Sequence, residues 1–108
     1  MYTYSDNPYL RKSNFLSDVG RFLVEHGFHN IFTSSFPVQT YVLNDIMIIP
    51  ANYMEPNVVV RNHTDERKIP FDTIRKILQS TKDYSVLNFD KFMMLIEKYK
   101  LESILETL

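Results

Sequence analysis

Apolar positions change their period twice along the chain, dividing it into helical, extended and again helical stretches. From Ser13 onward, Phe15, Leu16, Val19, Phe22 and Leu23 fall at the i, i+1, i+4, i+7, i+8 positions of one helix face. Ser13 or Asn14 can cap that helix, and Gly27 can end it by taking the left-handed conformation. Gly20 lies on the edge of the apolar face, where it costs about 1 kcal/mol relative to alanine. It therefore marks a close packing partner. Residues 1–12 read as an irregular aromatic arm, with Tyr2, Tyr4 and Tyr9 spaced through polar residues and Pro8 blocking regular structure. The domain itself is expected over 13–108.

After Gly27 the period becomes two. Ile31–Thr33, Phe36–Leu43, Ile46–Ile49 and Val58–Val60 are rich in β-branched and aromatic residues and predict three or four strands. Asn44-Asp45 between two apolar runs reads as a two-residue hairpin. It pairs Leu43 with Ile46 and Tyr41 with Ile48 on one face, and Val42 with Met47 on the other. Both faces are then apolar, so the hairpin is expected to be covered on both sides or by a partner. Asn62–Ile69 is polar and charged and reads as a loop leading to Pro70 at the first position of a helix. Phe71, Ile74, Ile77 and Leu78 give that helix its buried face.

A last helical region, capped at Ser85 or Asn88, carries two stripes: Phe89, Phe92, Met93 and Ile96, then Leu101, Ile104, Leu105 and Leu108. On one straight helix the stripes are rotated apart. Such a helix is either buried from two directions or broken near Tyr99–Leu101. The expected architecture is α+β: an N-terminal helix, a three- to four-stranded antiparallel sheet, and two to three C-terminal helices packed on that sheet.

Composition narrows the chemistry. At 108 residues the chain builds one modest core. Its only glycines are Gly20 and Gly27, and it has no cysteine. Gly-rich phosphate cradles and strained nucleophile elbows need glycine for close backbone approach, and thiolate chemistry needs cysteine. None of these can be written on this sequence, and no cofactor is expected. The net charge of −1 gives no global field to recruit nucleic acid or acidic membrane. No apolar run approaches membrane-spanning length and no signal-like segment opens the chain, so a cytoplasmic, non-membrane protein is expected. Asn62-His63-Thr64 matches a glycosylation acceptor, a pattern frequent by chance. Ala51 is the only alanine, while Ile, Asn, Tyr and Phe are abundant, as an AT-rich coding sequence produces; a phage or mobile element is one such source.

Among candidate sites, His26 and His29 are separated by the helix-ending Gly27 and so lose the shared face of a metal pair, even with His63 and Asp65 nearby in a loop. Glu25 in a first helix and Asp45 at a strand start loosely match how restriction-type nucleases place carboxylates. The strand that would carry the acid and lysine of such a site reads Val58-Val59-Val60-Arg61 instead. That makes a metal-dependent hydrolase or degenerate nuclease-like domain a distant third reading. Between Arg61 and Lys82 six basic residues (Arg61, Arg67, Lys68, Arg75, Lys76, Lys82) stand against Asp65, Glu66 and Asp72. They could contact successive phosphates, which makes nucleic-acid binding the runner-up.

The apolar surplus carries the leading expectation. Tyr53 and Met54 occupy a loop between Pro50 and Pro56, and Leu101, Ile104, Leu105 and Leu108 crowd the last residues of the sequence. Aromatic residues and methionine are enriched at interfaces. The sequence is therefore read as a small non-catalytic protein that binds another protein or itself, as an adaptor, inhibitor or oligomerisation module.

Overall fold

The structure, a computed structural model, describes residues 8–31, 39–50 and 56–107, with the side chains of the first helix described from Leu16 onward. The elements run α1 (Pro8–Glu25), β1 (His29–Ile31), β2 (Thr40–Leu43), β3 (Ile46–Ile49), β4 (Asn57–Arg61), β5 (Glu66–Pro70), α2 (Phe71–Ser80), a 3-10 turn (Tyr84–Val86) and α3 (Phe89–Thr107). The α+β architecture is as expected, with five strands among the described residues in place of three or four. All are antiparallel, in the order β1-β2-β3-β4-β5.

Helix α1 starts at Pro8, five residues before Ser13. Pro8 does not block structure there: at the first helical position its missing N–H has no intrahelical acceptor to lose, and its φ is already helical. The other end follows from Gly27. Its φ of 93° closes a Schellman turn, in which Phe28 N–H donates to Leu23 O at 3.0 Å and Gly27 N–H to Val24 O at 3.3 Å. Phe28 then turns into the core against Leu23.

Asn44-Asp45 makes the hairpin in the expected register: Leu43↔Ile46, Tyr41↔Ile48, Val42↔Met47. Asn44 takes the left-handed conformation, φ 54°. Both turn residues also reach across the molecule to the start of α3. The Asn44 amide donates to Leu87 O at 2.7 Å and to Tyr84 O at 3.1 Å, and Asp45 Oδ1 accepts the Phe89 N–H at 2.8 Å. Asn88 caps the same helix through the Lys91 N–H.

The stretch read as a charged loop is strand β5. A short turn held by Asn62, whose Oδ1 accepts the Thr64 and Asp65 N–H groups, brings Glu66–Pro70 back along β4, pairing Val60 with Arg67 and Val58 with Ile69. Only Ile69 of this strand is buried. Pro70 ends the strand, and α2 begins one residue later than Pro70 was expected to start it.

One face of the sheet, Tyr41, Leu43, Ile46, Ile48, Val58, Val60 and Ile69, shares a single core with residues from all three helices: Val19 and Leu23, Ile74, Ile77 and Leu78, and Phe89, Phe92 and Ile96. On the opposite face Ile31, Val42, Met47, Ile49 and Val59 are half-buried. The hairpin, expected to be covered on both sides or by a partner, is covered by helices on the first of these faces among the described residues. Gly20 meets Tyr41 there. A methyl group at Gly20 would overlap the Tyr41 hydroxyl and come within 3.1 Å of ring carbon Cζ. Gly20→Ala should therefore destabilise by roughly 1 kcal/mol, despite the helix propensity it gains, because overpacking outweighs propensity. Adding Tyr41→Phe should recover most of that loss, measured as the coupling in a urea-unfolding double-mutant cycle.

Candidate interaction surface

Helix α3 is unbroken from Phe89 to Thr107. Its apolar width is thus resolved neither by a break near Tyr99–Leu101 nor by burial of both stripes within the chain. Phe89, Phe92 and Ile96 are buried, and Met93 and Tyr99 pack partly against the core. The second stripe faces outward: Leu101 is 61% exposed, Ile104 56% and Leu105 67%. Met94, 72% exposed, extends it toward the N-terminal half of the helix. At 100° per residue, Met94, Leu101 and Leu105 lie within about 40° of one another, on a line about 180° from the Phe92–Ile96 face.

Sequence reasoning placed Met94 with neither stripe, since it breaks the run of the first and precedes the second by seven residues. The seven-residue spacing to Leu101 was the available signal. Tyr53, Met54 and Leu108, expected to share the surface, lie outside the described residues.

Beside the stripe is a shallow groove of about 500 Å³ lined by Arg67, Met93, Met94, Glu97, Lys98 and Leu101. Arg67 reaches it because strand alternation puts it on the same face of β5 as Ile69, at the sheet edge next to α3. Its guanidinium binds Asp65 at 3.1 Å, and that hydrogen bond is the main cause holding the Asp65 carboxyl below its ordinary range. The field of Glu97 adds to the stabilisation of the Arg67 cation. A second groove, about 320 Å³, lies between α2 and α3, lined by Lys76, Ile77, Ser80, Leu95, Lys98, Tyr99 and Glu102.

The basic residues do not form one surface. Arg67 and Lys68, adjacent on a strand, point to opposite faces of the sheet. Arg61 lies 3.9 Å from Glu66. Arg75 and Lys76 both reach Asp72, and the Arg75 hydrogen bond is the main cause lowering the Asp72 carboxyl. Lys76 also sits 5.8 Å from the centre of the Tyr99 ring, and the Tyr99 hydroxyl is the leading influence favouring its charged form. Lys82 is exposed in the short link after α2.

The histidines and acids of the hydrolase reading are likewise engaged or dispersed. His26 Nδ1 lies 2.8 Å from Phe22 O, and its ring stacks on Phe22 with centroids 3.9 Å apart. Asp45 serves α3 as described. Among the described residues no three His, Asp or Glu side chains converge, and no helix is long and apolar enough to cross a membrane. Comparison with protein-family models, curated proteins and solved structures gave no match.

Proposed function

We propose that the chain acts by binding protein, without chemistry of its own, through the outward face of α3. The observation that carries this reading is the line Met94, Leu101, Leu105. Three large apolar side chains, each more than 60% exposed, stand in register on one helix face beside an apolar groove. Scattered exposed leucines are ordinary, whereas a contiguous apolar patch rimmed by charge marks an interaction site. A helix read at i, i+7 and i+11 also matches the way amphipathic helices dock.

The basic segment receives no comparable support. Four of its six members, Arg61, Arg67, Arg75 and Lys76, are in ion pairs within the chain. A photo-crosslinking residue at Leu105, compared with one at exposed Gln79 on α2, tests the proposal in cells expressing the protein. Discrete polypeptide adducts from position 105 and none from 79 are expected. Equal, diffuse labelling from both would sink the reading.

A further inference from the structure

We infer that the occupant of this face is a second copy of the same chain, packed α3 against α3 in antiparallel orientation about a twofold axis close to Lys100. The inference rests on the binding role of that face and names the partner. Antiparallel self-packing brings Leu105 of each copy opposite Met94 of the other and leaves Leu101 near the axis. The apolar line is thereby matched to itself, as an isologous contact requires.

Charge follows the same symmetry. The groove end of the line carries Arg67 and Lys98 around Glu97, with Lys100 bound to Glu97 at 3.8 Å. From Leu101 to Thr107 the helix carries Glu102 and Glu106 and no basic side chain. Reversing one copy lays the acidic end along the groove side that carries Arg67 and Lys98. Lys98 of each copy then lies opposite Glu102 of the other, because in an antiparallel pair like flanks face each other and these two residues are equidistant from the axis. Among the described residues neither makes an ion pair within the chain.

Size separates this arrangement from an end-to-end contact. A specific interface covers about 800 Å² per partner, more than a few terminal side chains can supply. Running the helices side by side also covers Met93, the groove wall and the aliphatic stem of Lys98. A dimer near the small end of the specific range is expected, with dissociation in the micromolar range.

Sedimentation velocity on the purified full chain, from about 1 to 300 µM, should show monomer passing to dimer across that range. Lys98→Glu and Glu102→Lys should each weaken the dimer at least about tenfold, and the doubly exchanged chain should restore it. Circular dichroism should be unchanged in all three. Because the chain has no cysteine, orientation can be read directly. Leu101→Cys should oxidise readily to a covalent dimer, whereas Met94→Cys, about 20 Å from its counterpart in this arrangement, should not. Monomer at every concentration, or equal crosslinking from both positions, overturns the inference. Monomeric behaviour together with adducts to another polypeptide at position 105 ends self-pairing and leaves the binding role standing, while absence of both ends both.

Discussion

Phe92→Ala should lower the unfolding free energy by about 3–5 kcal/mol, whereas Leu101→Ala, nine residues along the same helix, should change it by less than about 0.5 kcal/mol. Phe92 is fully buried among sheet and helix residues, so truncation loses both its transfer free energy and the packing of the cavity left behind. Leu101 is 61% exposed, so most of its surface never leaves water on folding. Chemical denaturation of the two variants at low protein concentration, where association adds nothing, reads the contrast as a shift in midpoint at constant slope. A large midpoint shift for Leu101→Ala would mean that the outward stripe belongs to the core. Loss of association without loss of stability would identify it as a contact surface.

The second large effect is at the hairpin tip. Asn44→Ala should cost about 2–3 kcal/mol: about 1 for each of the two amide hydrogen bonds that close the carbonyls of Tyr84 and Leu87, and the rest because alanine lacks the short polar side chain that lets asparagine tolerate a left-handed φ. Asn44→Gly removes the same hydrogen bonds but accepts the backbone, so it should cost no more than about 2 kcal/mol. The gap between the two variants, measured by urea unfolding, isolates the backbone contribution. Asp45→Ala should cost about 1 kcal/mol, the usual loss for a helix cap. Equal behaviour of Asn44→Ala and Asn44→Gly would show that φ at this turn is unconstrained.

These residues also show which parts of the fold could be read from the sequence. The hairpin was legible to its register because Tyr41, Leu43, Ile46 and Ile48 alternate around a turn-forming pair. That the same pair would hold the start of α3 was not, since no local pattern encodes a partner forty or more residues away. Strand β5 was missed because Glu66-Arg67-Lys68 shows no alternation. An edge strand buries little, here Ile69 alone, so it leaves almost no hydrophobic period to find. The beginning of α1 was missed because proline blocks a helix interior and favours a helix start, and only the backbone shows which applies.

For the candidate site, the two stripes of α3 were visible, as was their rotation away from each other. Periodicity shows that a face is apolar but does not show which of two such faces the rest of the chain covers. Core volume decided that: sheet, α1 and α2 were filled by Phe89, Phe92 and Ile96, and nothing described in the chain comes over Leu105. The basic cluster failed for a related reason. Counting charges along residues 61–82 ignores that a strand sends neighbours to opposite faces and that Asp72 serves two cations at once.

The outermost strand bears on how copies of this protein can join. Sheets commonly grow by adding a strand from another molecule to an open margin, which needs a length of accessible N–H and C=O groups and side chains that tolerate a flat neighbour. Among the described residues one margin is β1, three residues long. The other is β5, where Glu66, Arg67 and Lys68 stand exposed and Pro70 has no N–H to give. A strand added there would lie against three consecutive exposed charged side chains and find no donor at Pro70, and one added at β1 would gain only a short rung. Strand exchange and fibril-like stacking are therefore discouraged along both described margins, which leaves the helical layer as the face for the proposed pairing.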